Sequence, residues 1–116
     1  MNHPDKTAPV YLVAELTVHD PEKMRQYARQ VGPVLERFGG RILATFPPTP
    51  ATVEGDWHPQ VLVVQEWPSA ADFHAFWSST DYAALRDLRR AAARSQIVTV
   101  GGVADGTTDT AVGDQE

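Results

Sequence analysis

The stretch from Val10 to Val18 constrains the fold more than any other part of the chain. Val10, Leu12, Ala14, Leu16 and Val18 fall on one face, and Tyr11, Val13, Glu15 and Thr17 on the other. Alternation with a period of two is the pattern of a β-strand. The first face is uniformly apolar and must meet helices. The second is mixed, with Glu15 its odd member, and is still too apolar to be left to water. Such a strand belongs inside a sheet, covered on one side by helices and on the other by something else.

The next residues change period. Asp20 can accept from the free N–H groups of a first helical turn, and Pro21 suits a first helical position, which needs no N–H. Met24, Tyr27, Ala28, Val31, Leu35 and Phe38 follow as one apolar stripe. Gly32-Pro33 interrupts it, which predicts a kink or a split into two helices. Gly39-Gly40 ends it, because glycine takes a left-handed cap cheaply. Arg41 to Phe46 reads as a second strand. Pro47-Pro48-Thr49-Pro50 cannot continue a ladder. Gln60 to Trp67 is a third strand, antiparallel to the second. Ser69 and Asp72 have capping-box spacing before a helix that carries Phe73, Phe76 and Trp77. Ser78 to Asp81 breaks that helix. A further helix from Tyr82 to Arg94 turns Tyr82, Leu85, Leu88 and Ala92 inward, and Gln96 to Val100 closes the set as a strand. The order strand, helix, strand, strand, helix, strand predicts a ferredoxin-like α+β fold, a four-stranded antiparallel sheet with its helices on one face. Val13, Val61, Val63 and their neighbours are expected to make the other face apolar, with a second copy of the chain as its cover. Residues 9–103 form this domain. Residues 1–8 read as a flexible N-terminus and residues 104–116 as a disordered acidic tail.

Composition removes several classes of function. The 116 residues carry a net charge of −5 and no basic stripe, against the footprint of a nucleic-acid binder. There is no cysteine, so disulfides, iron–sulfur clusters and thiolate zinc sites are excluded. No apolar run approaches the length of a membrane span, and the N-terminus lacks the apolar stretch of a signal peptide. A cytoplasmic protein is the expectation. No phosphate-binding glycine loop or dinucleotide fingerprint occurs.

Between the second and third strands lies Glu54-Gly55-Asp56-Trp57-His58. In an extended segment Glu54, Asp56 and His58 share one face. A histidine beside a carboxylate can act as general acid or base near neutral pH, and Trp57 adds an amphipathic wall. The alternatives are a solvated turn or, from the same three groups, a metal site. Arg41 can hold an anionic substrate group with its planar fork, or pair internally with Glu54 or Glu66. Glu15 reads as a catalytic acid or as half of an interface ion pair. Tyr27, Phe73, Trp77 and Tyr82 read as core aromatics, with the hydroxyls of Tyr27 and Tyr82 able to face a pocket. Arg89 reaches a pocket or caps its helix, and His3 and His19 read as surface residues.

Together, Asp20-Pro21-Glu22, Tyr27, Gly39-Gly40-Arg41, Glu54-Gly55, Trp57, Trp67-Pro68-Ser69, Tyr82, Leu85 and Arg89 resemble the bacterial family catalogued as domain of unknown function 1330, over roughly Val10 to Val103. The chain departs from that pattern in its proline-rich 47–50 segment. The family is similar to the dimeric α/β-barrel superfamily, in which two ferredoxin-like chains pack sheet to sheet and pockets lie between each sheet and its helices. That superfamily includes cofactor-free monooxygenases, polyketide cyclases, muconolactone isomerases, haem-degrading enzymes and ligand-sensing domains. By that analogy alone, His74 is a candidate haem ligand.

The resulting expectation is a homodimeric, cofactor-independent enzyme without metal, set in bacterial secondary metabolism or catabolism. It would carry out isomerisation, cyclisation, dehydration or addition on a hydrophobic, oxygen-bearing small molecule. His58, Glu54, Asp56 and Arg41 are its candidate catalytic residues. Tyr27, Trp57, Trp77, Tyr82, Arg89 and Glu15 are its candidate substrate-binding residues, converging with the loop on one pocket. A non-catalytic binding or sensing domain and a cofactor-free monooxygenase are the alternatives.

Overall fold

Strand β1 runs from Val10 to Val18 at the centre of the sheet, as its alternation demands. The computed structural model describes residues 8–102; the expected N-terminal and C-terminal tails lie outside the described residues, apart from Ala8. Helix α1 (Pro21–Arg37) follows, then β2 (Arg41–Ala44), β3 (Val61–Trp67), α2 (Ala70–Trp77), α3 (Thr80–Ala92) and β4 (Ala93–Gly101). The sheet order is β2-β3-β1-β4, and every pairing is antiparallel. This is the ferredoxin-like arrangement.

Local chemistry sets the element ends. The Asp20 carboxylate accepts from Lys23 N at 3.1 Å with Pro21 opening α1. Ser69 and Ser79 do the same for α2 and α3, accepting from Asp72 N and Tyr82 N, each at 3.1 Å. Ser69 also donates to Asp72 Oδ2 at 2.9 Å, which closes the cap. Pro33 lies inside α1 without splitting it: the helix runs unbroken for 17 residues. Tertiary packing along Val31 and Leu35 outweighs the single hydrogen bond that the proline removes.

The two glycines after α1 have different jobs. Gly39 takes a φ of +96° and donates to Glu36 O, while Gly40 donates to Leu35 O, the paired bonds of a Schellman cap. Gly40 is also a packing position: a Cβ there would stand 2.7 Å from the Trp67 indole. Trp67 is fully buried, and its Nε1 donates to buried Gln65 at 3.0 Å.

Leu12, Ala14, Leu16, Val61, Trp67 and Ala93 form the sheet side of the core. Val31, Leu35, Phe73, Phe76, Tyr82 and Leu85 meet them from the helices. Register corrects one expectation. Val61 stands opposite Leu16 and Val63 opposite Ala14, so both face the helices rather than the open side. The open face instead carries Val13, Leu62, Val64, Val98 and Val100, the last two 62% and 54% exposed. Val13 lies there as expected, and Leu62, Val64, Val98 and Val100 take the places expected for Val61 and Val63. Two boundaries also move. β2 stops at Ala44, short of Phe46. β4 begins at Ala93, because Ala93 and Arg94 pair with Val18 and Thr17, and the helix yields those residues to the sheet.

Candidate functional site

A cleft of about 550 Å³ opens where the end of α3 meets the start of β4. Backbone bonds from His19 N and Asp20 N to Ala92 O, at 2.9 and 3.0 Å, tie this corner to the end of β1. Trp77 and Ile97 supply apolar wall, and Arg89, Arg90, Arg94 and His19 supply charge and hydrogen-bonding capacity. The volume is within the range of small-molecule sites.

Arg89 is the residue that sets this cleft apart. It is 4% exposed, and no carboxylate lies within ion-pair distance of it among the described residues. A buried guanidinium is costly unless its N–H groups are satisfied. Arg89 Nε donates to the Tyr82 hydroxyl at 3.3 Å, and Nη1 donates to Ser95 Oγ at 2.8 Å. Its guanidinium carbon lies 5.8 Å from the Trp77 ring centroid, a cation–π distance. Only two of its five N–H groups are engaged in these bonds.

The Tyr82 hydroxyl in turn shares a hydrogen bond with the Tyr27 hydroxyl, 2.9 Å away. The rings meet edge to face, bridging α3 and α1. Burial pushes the Tyr27 phenol well above the ordinary tyrosine range, reinforced by the Tyr82 hydroxyl and opposed by Arg89. The Tyr27 phenol therefore stays protonated at neutral pH, and either hydroxyl can be the donor in the pair. Arg86 packs against the rings of Trp77 and Tyr82 and donates to Trp77 O at 2.7 Å, which holds the Trp77 wall in place.

The loop residues do not join this cluster. Trp57 Nε1 donates to Glu15 Oε2 at 3.1 Å, and Gln96 Nε2 donates to Glu15 Oε1 at 3.3 Å. Glu15 alternates with buried Ala14 and Leu16, so it points to the open face. The 54–58 loop therefore crosses the side of the sheet opposite to Tyr27, Tyr82 and Arg89. Trp57 is 57% exposed there. His58 Nδ1 lies 3.0 Å from Thr52 Oγ1, and Glu54 and Asp56 are exposed. Gly55 has a φ of +96°, a turn that favours glycine. Among the described residues no three His, Asp or Glu side chains gather as a metal site requires.

Arg41 forms a third group, also on the open face. Its Nε donates to Glu66 Oε1 at 2.7 Å, and the Tyr11 hydroxyl donates to Glu66 Oε2 at 3.2 Å. Arg41 so takes the internal pair with Glu66. The guanidinium holds the Glu66 carboxyl below its usual range, and Glu66 raises the Tyr11 phenol. A groove of about 580 Å³ lies beside this pair, at the opposite end of β1 from the cleft.

The expected convergence of acid, base, cation and aromatic wall on one pocket is thus corrected. Tyr27, Trp77, Tyr82 and Arg89 come together; Glu15 and Trp57 meet on the other face; Arg41, Glu54, Asp56 and His58 contribute to neither cleft wall nor tyrosine pair. His74 is exposed and packs its ring on Phe73. Sequence reading missed Ser95 and the cleft position of His19. The signal available for His19 was its place between a strand end and a helix cap, where side chains from separate elements meet.

A helix-roofed antiparallel sheet with a cation-lined cleft at one end defines the class: a ferredoxin-like α+β domain. The chain belongs to the family described as a domain of unknown function (DUF1330), whose model matches residues 9–103. It is similar to the crystal structure of the RPA0582 protein of unknown function from Rhodopseudomonas palustris, with a TM-score of 0.72 and 22% identity over 86% of each chain. It is also similar in fold to SnoaB, a cofactor-independent oxygenase from Streptomyces nogalater, with a TM-score of 0.62 and 15% identity over 85% of this chain and 97% of that one. A dabb family protein with a ferredoxin-like fold from Mesorhizobium loti matches at a TM-score of 0.56 and 14% identity, over 85% and 99% of the two chains. No functionally curated protein matches the sequence. Among the described residues no helix is long and apolar enough to cross a membrane.

Proposed function

We propose that this protein is a cofactor-independent enzyme that moves a proton on a hydrophobic, oxygen-bearing small molecule in the cleft beside α3. The observation that carries this reading is buried Arg89, without a carboxylate partner among the described residues and bonded to Tyr82 at 3.3 Å. A buried guanidinium that lines the cleft with N–H groups to spare, and is steadied by the Tyr82 hydroxyl behind it, is suited to an oxygen on which negative charge develops, as in an enolate. Tyr27 positions the Tyr82 hydroxyl. His19, the imidazole lining the cleft, takes up the proton from carbon and returns it. Isomerisation, cyclisation, dehydration and addition all share this enolate step.

In this reading the Glu54–His58 loop serves the open face. That face, with Val98 and Val100 exposed at its edge, is covered by a second copy of the chain, sheet to sheet, in a cytoplasmic homodimer. Light scattering at micromolar concentration is expected to return twice the chain mass of 12.7 kDa.

The test of the chemistry is solvent exchange. The full chain is incubated in deuterium oxide with 2-oxo acids, 1,3-diketones and unsaturated lactones, while NMR follows deuterium incorporation and an electrode follows oxygen. Exchange that is lost in Arg89→Met and His19→Ala supports proton transfer. Oxygen uptake with product hydroxylation would replace it with the monooxygenase reading. Ligand binding without exchange or oxygen uptake would replace it with a sensing domain.

A further inference from the structure

The charge on the cleft walls identifies the substrate class. In a chain where Asp and Glu outnumber Lys and Arg by 15 to 10, the cleft is lined by Arg89, Arg90, Arg94 and His19 and by no acid. Of the five arginines outside the cleft, three pair with acids, Arg25 with Glu22, Arg37 with Asp81 and Arg41 with Glu66, and Arg86 is held by Trp77 O and the Trp77 and Tyr82 rings. None of the three cleft arginines pairs with a carboxylate among the described residues. Arg89 and Arg90 lie in the last turn of α3, where the helix dipole alone favours a cation. The dipole accounts for neither Arg94, which belongs to β4, nor the burial of Arg89.

We propose that the cleft binds a small organic carboxylate with an apolar or aromatic body, its carboxylate held by the arginines at the mouth. A planar guanidinium matches a carboxylate through two parallel hydrogen bonds. The flat wall of Trp77, with Ile97 beside it, takes the apolar body. Arg89, deeper in and backed by the Tyr82 hydroxyl, is then left for the oxygen at the reacting centre. The substrate class is an aromatic or hydrophobic oxo-acid rather than a neutral ketone. This inference rests on the proton-transfer reading for the reacting end alone; the carboxylate subsite stands on the cleft's own charge.

Isothermal titration of the full chain with benzoate, benzamide and inorganic phosphate tests it. Benzoate is expected to bind at least tenfold more tightly than benzamide and than phosphate. The Arg90→Gln/Arg94→Gln double variant changes exposed side chains only, so it keeps the fold, and it should weaken benzoate at least fivefold. The charge-matched control Arg25→Gln/Arg37→Gln should leave benzoate within twofold, because both side chains are exposed and lie outside the cleft lining. Equal binding of benzamide, an unaffected double variant, or no benzoate binding overturns the proposal. Phosphate binding as tightly as benzoate also overturns it, in favour of a phosphate site. Benzoate binding without exchange on any oxo compound would remove the proton-transfer reading and leave the carboxylate subsite standing. Exchange on neutral ketones without benzoate binding would do the reverse.

Discussion

The two faces of the sheet treat polar groups in opposite ways. On the helix side, Tyr27, Tyr82, Arg89 and Ser95 come from three elements and bond to one another around a buried guanidinium that keeps N–H groups to spare. On the open side, Glu15, Trp57 and Gln96 form a comparable chain of hydrogen bonds with water close by. Number of bonds does not separate the two groups; burial does. A cation held at 4% exposure without a carboxylate among the described residues is electrostatically strong because little solvent screens it. A half-buried glutamate bonded to an exposed indole is worth less to stability and has less field to lend to a substrate. The stretch densest in motif residues lies on the open side, and the least screened cation lies on the helix side.

The sharpest way to break this comparison is to remove one group from each face. Arg89→Met is expected to lower kcat/KM by on the order of 10²–10³, the usual consequence of losing one oxyanion donor. Folding stability should hold or rise, since an uncompensated buried charge is replaced by an apolar side chain. His58→Ala and Glu54→Gln should leave turnover unchanged. If the loop variants lose activity and Arg89→Met retains it, the functional face is the open one.

Glycine substitutions sharpen the same contrast through stability. Gly40→Ala places a Cβ against the buried Trp67 ring, 2.7 Å away, and should cost about 1–3 kcal/mol, as overpacking does. Gly55→Ala meets no atom within 4 Å, although its φ is +96°. It should cost about 1 kcal/mol, from backbone strain alone. Urea melts of the two variants read the difference directly, and a larger loss at Gly55 would show the loop to be packed rather than open.

Alkaline pH separates the faces again. The Tyr27 phenol has a pKa raised by burial, so its contribution to stability is complete below the ordinary tyrosine range and is lost as pH rises beyond about 10, where the unfolded chain ionises and the folded one does not. Denaturant melts from pH 9 to 11 should fall more steeply for the wild type than for Tyr27→Phe. A parallel fall in both would mean that the Tyr27 hydroxyl is hydrated.

The smallest effect belongs to the Arg41–Glu66 pair, where Glu66 titrates below its usual range. Its stabilisation is present above the ordinary carboxylate pKa and disappears as pH falls below about 4. Arg41 is largely exposed, so Arg41→Ala should only slightly flatten the acid limb of a melting-temperature curve. A large change there would mark this pair as structural.

Much of the fold follows from the sequence by itself, because the rules involved are local. The period of two in Val10–Val18, the apolar stripe ending in Leu35 and Phe38, and the caps at Asp20, Ser69 and Ser79 each depend on residues within a few positions of one another. Their order leaves the ferredoxin-like sheet as the simplest assembly. Tertiary structure decided what depends on distant partners. Register moved Val61 and Val63 to the helix face, since a shift of one residue reverses every side chain. The bond from Trp57 to Glu15, 42 positions apart in the chain, put the polar loop on the side away from the cleft. The meeting of Tyr27 with Tyr82, 55 positions apart, turned two ordinary core aromatics into the neighbours of a buried cation. Local pattern carries no information on which face a loop crosses, because that is settled by the contacts the loop makes once the sheet exists.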